Sequence, residues 1–105
     1  MPDAHSSLPT SRDDAFRGQT VLVTGSSSGI GAATARLFAA SGASVVINSS
    51  RSTQAGEAMA AELPDAGYIQ ADVADEGQAR HLIEEVVARF GRLDVLVNNA
   101  GTTHP

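Results

Sequence analysis

Three glycines in one short turn are the residues of this sequence best suited to chemistry. They stand at 25, 29 and 31 in Thr24-Gly25-Ser26-Ser27-Ser28-Gly29-Ile30-Gly31. The turn leaves a β-branched run, Thr20-Val21-Leu22-Val23-Thr24, and enters a stretch of helical period. A phosphate held at such a junction needs a tight turn, close backbone approach and a free helix N-terminus, whose amides and dipole attract negative charge. Gly25 is expected to turn where a side chain would obstruct, and Gly29 to admit a pyrophosphate close to the backbone. Gly31 is expected to let helix and strand pack tightly. Ser26, Ser27 and Ser28 add small hydroxyl donors. The glycines fall as G-x-x-x-G-x-G, not as the general G-x-G-x-x-G. A glycine-serine loop can also be no more than a flexible turn, but a loop placed between an apolar strand and a helix argues for the phosphate site. The Gly-Lys-Ser/Thr phosphate loop is excluded, because all seven basic residues are arginines.

The elements that must position this turn are legible around it. Two further β-branched runs follow, Ser44-Val45-Val46-Ile47-Asn48 and Leu93-Asp94-Val95-Leu96-Val97-Asn98, with a weaker strand over Gly67 to Ala71 between them. Their continuous hydrophobicity predicts strands covered on both faces, as in a parallel sheet. Helical spacing links Ile30, Ala33, Leu37 and Phe38, with Gly42 as C-terminal cap. A second helix is predicted from about Thr53 to Leu63, with Ala55, Met59 and Leu63 on one face and its end set by Pro64. The third runs from Glu76 to Phe90. Asp75 caps it, with Gln78 three residues on in a capping-box-like arrangement. Leu82, Ile83, Val86, Val87 and Phe90 form its expected buried stripe, and Gly91 ends it. The series β-α-β-α-β-α-β predicts an α/β fold, a Rossmann-type doubly wound parallel sheet of which this is the N-terminal half. Its strand order would be 3-2-1-4, and its ligand is expected at the carboxyl ends of the strands. Residues 1–17 show no apolar period and read as a flexible tail, leaving 18–105 as a partial dinucleotide-binding domain.

With these elements in place, the glycine turn together with Asn98-Asn99-Ala100-Gly101 resembles the short-chain dehydrogenase/reductase family. The resemblance covers about residues 18 to 103, and the two motifs fall at the ends of the first and fourth strands, as in that family. It implies a nicotinamide dinucleotide cofactor, with Gly25, Ser27, Ser28, Gly29, Ile30 and Gly31 at the phosphates. It also implies that Asn99, Ala100 and Gly101 border the adenosine while this segment ties the fourth strand to the first. Asn98 and Asn99 are expected to serve the sheet as much as the ligand. Asp72-Val73 resembles the family's acidic-aliphatic pair that meets the adenine ring, the alternative being a solvated or helix-entry aspartate. At the end of the second strand, an NAD-preferring site usually places an acid for the ribose hydroxyls. None is present in Asn48-Ser49-Ser50-Arg51-Ser52. Arg51, with flanking hydroxyls such as Ser50, suits a 2′-phosphate instead, since a guanidinium can give two parallel hydrogen bonds. NADP is therefore expected over NAD, unless Arg51 is merely a solvated residue before a helix.

By the same resemblance, hydride transfer would use a Tyr-x-x-x-Lys pair, a serine and a further asparagine, all downstream of Asn-Asn-Ala-Gly. The single tyrosine, Tyr68, has Asp72 at the fourth following position, and no lysine exists. No catalytic residue is assigned. His5, His81 and His104 show no metal-ligand spacing, and Asp13-Asp14 and Glu84-Glu85 read as solvated charge. The Ser26–Ser28 loop has no histidine base for a serine nucleophile.

Composition bounds the remaining classes. A length of 105 residues suits one domain, and 42% hydrophobic residues suit a packed one. A net charge of -5 argues against a nucleic-acid partner. With no cysteine, disulfides and thiolate chemistry are excluded. The first seventeen residues lack the apolar run of a signal peptide and no later run is long enough to span a membrane, so no membrane partner and a cytoplasmic location are expected. Four strands make half of the usual sheet and leave the fourth with an unpaired edge. The expectation is the N-terminal part of an NAD(P)-dependent oxidoreductase. It would be inactive alone, bind its small carbonyl or alcohol substrate only in a full-length form, and lack the oligomer interface. The alternatives are a non-catalytic nucleotide-binding or interaction module, and a non-functional remnant.

Overall fold

In the computed structural model, residues 14–100 are described. Four strands, β1 (Thr20–Val23), β2 (Ser44–Ser49), β3 (Ala66–Gln70) and β4 (Val95–Val97), form one sheet in the order β3-β2-β1-β4, every pair parallel. Helices α1 (Gly29–Ala40), α2 (Thr53–Glu62) and α3 (Glu76–Phe90) alternate with them. Both the element series and the strand order are those the sequence predicts.

Successive strand side chains point to opposite faces, and each face has its own core. Val21, Val23, Val45 and Ile47 meet Ala32, Ala35 and Ala39 of α1 and Met59 of α2. Leu22, Val46 and Ile69 meet Leu82 and Val86 of α3 on the other side. The sheet is doubly wound because β1 and β2 carry apolar side chains on both faces, at Val21 to Val23 and Val45 to Ile47, and need cover on both.

Two predicted helix faces are corrected. Of the stripe expected on α1, Ile30 is 78% exposed, Leu37 is 68% exposed and Ala33 also faces outward, while Phe38 is half-buried. The buried residues are Gly31, Ala32, Ala35 and Ala39. Small side chains let the helix axis approach the sheet, and the larger apolar residues are left on the far side. On α2, Ala55 is exposed and Gly56 is buried beside Met59, with Leu63 half-buried. A Cβ on Gly56 would lie 2.2 Å from the Tyr68 ring, so Tyr68 occupies the space that a side chain there would need. On α3, Leu82 and Val86 are buried, Ile83 and Phe90 are partly so, and Val87 is exposed.

The ends of the elements follow local chemistry. The Asp75 carboxylate accepts from the Gln78 amide at 3.1 Å, the expected cap. Gln78 does not complete a capping box, because its side chain accepts from the Asp72 amide at 2.8 Å instead. Gly91 ends α3 with φ at 86°, its N–H donating to the Val87 carbonyl. At the end of α1 the cap is Ser41, and Gly42 follows it. The described part of the expected tail makes a turn at residues 14–17. Phe16 N–H donates to the Ser41 carbonyl at 2.9 Å, and its ring meets Phe38 edge-on at 4.9 Å. Among the described residues, packing thus already includes Phe16, ahead of residue 18. Residues 1–13 lie outside the described residues.

Candidate functional site

All four strands run parallel, so their carboxyl ends come together at one edge of the sheet. At the end of β1, Gly25 has φ at 63°, and a Cβ there would stand 2.9 Å from Ala100 Cα. Gly29 also has φ at 63°, with open space where its side chain would be. A Cβ on Gly31 would meet the Gly25 carbonyl oxygen at 2.3 Å and Asn99 Nδ2 at 2.7 Å. Gly31 thus gives close approach as expected, but chiefly to the turn and to the segment after β4. Ser28 stands at the N-cap of α1, and its hydroxyl takes none of the helix amides.

Ser26 departs from the expected donor role. It is fully buried, its hydroxyl donating to the Val23 carbonyl at 2.6 Å and accepting from the Asn48 amide at 3.0 Å. It braces the turn from inside, leaving Ser27 and Ser28 as the serines on its open side.

The segment after β4 locks the turn. Thr24 Oγ1 accepts from the amides of Asn99 and Ala100 at 3.0 and 3.1 Å. Asn99 Nδ2 donates to the Gly25 carbonyl at 3.0 Å. Asn98 Oδ1 lies 3.4 Å from the Thr24 hydroxyl. The fourth strand is therefore tied to the first at this point, and the pair of asparagines serves the sheet.

Between these segments opens a cleft of about 600 Å³, within the range of small-molecule sites. It gathers Gly25, Ser27 and Ser28 from the turn, Ser50 and Arg51 from the end of β2, Asp72 and Val73 from beyond β3, and Asn99 and Ala100 from beyond β4. Gly29, Ile30 and Gly31 belong to the same turn but do not line it. Gly101 lies outside the described residues.

The arginines of the described residues are unevenly committed. Arg17 pairs with Asp14, and Arg36, Arg80, Arg89 and Arg92 each lie within 3.9 Å of a carboxylate. The exposed Arg51 guanidinium, by contrast, bonds to none of the described residues. Asp72 is partly committed to its own loop, one carboxylate oxygen accepting from the Ala74 amide at 3.0 Å. This is a turn within the loop; the residue that caps the following helix is Asp75.

Sequence reasoning passed over Asn48, which is 1% exposed yet borders the cleft. Its Oδ1 accepts from the Gly25 amide at 3.2 Å, and its Nδ2 donates to the carbonyls of Ile69 and Ala71 at 3.1 and 3.2 Å. The available signal was an amide side chain ending an otherwise apolar run. Tyr68 reaches the same strand end, its hydroxyl 2.6 Å from Ser49 Oγ. No helix among the described residues is long and apolar enough to cross a membrane.

The pattern that defines the short chain dehydrogenase family matches residues 19–105. A putative ketoacyl reductase of the granaticin polyketide synthase from Streptomyces violaceoruber is 57% identical over 90 residues, covering 86% of this chain and 36% of that protein. Momilactone A synthase from Oryza sativa is 47% identical over 90 residues, 84% of this chain and 32% of that one. Among solved structures, a short chain dehydrogenase from Burkholderia cenocepacia in complex with NADP superposes with a TM-score of 0.80 at 43% identity, covering 85% of this chain and 38% of that one. The chain thus spans about a third of the length of the relatives it matches.

Proposed function

The chain belongs to the short-chain dehydrogenase family, and on that premise we propose that its cleft binds a nicotinamide dinucleotide, NADP in preference to NAD. The observation that carries this reading is Arg51, a guanidinium without a carboxylate partner among the described residues, standing in the cleft at the end of β2, where Asn48-Ser49-Ser50-Arg51-Ser52 holds no acid. The cleft fits the cofactor's other parts in kind. An uncapped helix start and the Gly25–Ser28 backbone suit a pyrophosphate. Asp72 and Val73 suit the adenosine end. Once bound, the nicotinamide ring would exchange hydride with a carbonyl or hydroxyl carbon of a small substrate.

In this reading the chain supplies the cofactor-holding part of that reaction, in a cytoplasmic setting, and not its proton transfers. Tyr68 is engaged by Ser49 and by packing over Gly56, and no lysine accompanies it. A polypeptide of these 105 residues is therefore expected to bind the cofactor without turnover. The test is a fluorescence titration of the full chain with NADPH and NADH, repeated with Arg51→Ala. NADPH is expected to bind more tightly, and the difference to vanish in the variant. Equal affinities in both proteins would overturn the NADP assignment, and no binding of either nucleotide would overturn the site.

A further inference from the structure

Resting on that reading of the cleft, we propose that Asn48 is a positioning residue that sets the separation between its phosphate-binding and adenosine-binding halves. Asn48 holds the glycine turn through three bonds. Its Oδ1 accepts from the Gly25 amide, its carbonyl accepts from the Ser26 amide at 2.8 Å, and its amide donates to Ser26 Oγ. The same residue holds the end of β3, giving both Nδ2 hydrogens to the carbonyls of Ile69 and Ala71. Asp72 and Val73 follow Ala71 directly. One buried side chain thus connects the turn expected at the pyrophosphate with the loop expected at the adenine.

The chemistry of the position is specific. A side-chain amide has one acceptor face and two donor hydrogens, and all three directions are used here. Aspartate has the same shape but would set a carboxylate oxygen against two carbonyls. Alanine would leave the Gly25 N–H and both carbonyls to find other partners. A ligand that spans two subsites gains from both only when their spacing matches its own, because the second contact is then made at high effective concentration. Asn48 acts on that spacing through Gly25 and Ala71, without a required contact to the ligand.

The test compares NADP, which spans both halves, with adenosine 2′-monophosphate, which reaches only the adenosine half. Both are titrated by calorimetry against the full chain, Asn48→Ala, and Met59→Ala as a variant with a comparable packing defect away from the cleft. In Asn48→Ala the ratio of NADP affinity to adenosine 2′-monophosphate affinity is expected to fall about tenfold. Met59→Ala lowers both affinities together and keeps the ratio. A ratio unchanged in Asn48→Ala, with binding intact, overturns the positioning role and leaves the cofactor site standing. Absence of NADP binding by the unaltered chain overturns the cofactor site itself, and this inference with it. If Asn48→Ala does not fold, amide exchange in the unaltered chain gives the decision. Adenosine 2′-monophosphate alone is expected to slow exchange at Gly25, and unchanged exchange at saturation overturns the proposal.

Discussion

Arg51 and Gly31 carry the two sharpest predictions at the scale of single residues. A charge-assisted hydrogen bond contributes about 1.5–3 kcal/mol. Arg51 is exposed, so its share lies at the lower end, and Arg51→Ala is expected to weaken NADPH binding about tenfold while changing NADH little. Arg51→Lys keeps the charge but loses the paired geometry and is expected to fall between them. Gly31 faces a different constraint, since its closest neighbour would be the backbone oxygen of Gly25 at 2.3 Å. Gly31→Ala must displace the turn, and a loss of about 1–3 kcal/mol in urea unfolding is expected together with weaker nucleotide binding. Gly77→Ala offers the comparison, because the nearest atom there is Asp75 Oδ1 at 3.4 Å. That change should leave stability within about 0.5 kcal/mol.

Helix α1 shows where an element can be read from sequence and where it cannot. Its limits were legible, because a glycine turn precedes it and Gly42 follows. Its buried face was not, because two stripes interleave along it, one of large residues at 30 and 37 and one of alanines at 32, 35 and 39. Periodicity favours the stripe with more hydrophobic bulk, whereas close approach to the sheet favours the smaller one. The two facings predict opposite mutational costs. Ala35→Leu is expected to destabilise by about 1–3 kcal/mol through overpacking, and Leu37→Ala to stay within about 0.5 kcal/mol. Thermal or urea unfolding of the two variants checks this. The parallel sheet was legible from continuous hydrophobicity and its strand order from the alternating series of elements, but the bonds of Asn48 were not, since its partners at 25, 69 and 71 are set by the register between strands. The start of β4 adds a pH dependence. Arg92, bonded side chain to side chain with Asp94, and then the Thr20 amide hold the Asp94 carboxyl below its usual range. The stability this gives is present above the ordinary carboxylate pKa of about 3.9 and is lost as pH falls through the lower folded value. Asp94→Asn is expected to flatten that acid limb in urea titrations run between pH 2 and pH 6.

For the whole molecule, the uneven covering of the sheet matters most. Among the described residues β4 pairs with β1 alone, and Leu96 is 52% exposed, as are Val87 at 45% and the outer residues of α1. An apolar strand edge of this kind invites association with other chains. The 105-residue chain is expected to associate as its concentration rises in sedimentation velocity, and Leu96→Glu to reduce that association, helped by the net charge of -5. The hydrogen bonds of Thr24 also bear on how the molecule is made. They join a residue near the beginning of the fold to amides 75 and 76 positions later. Contacts so distant in sequence form late, after the local helices. At a ribosomal pace of about 5–20 residues per second, the turn would emerge several seconds before the segment that locks it. A dinucleotide held as proposed would therefore select only those nascent molecules whose fourth strand has already docked on the first, and its capture would follow closure of this turn rather than guide it.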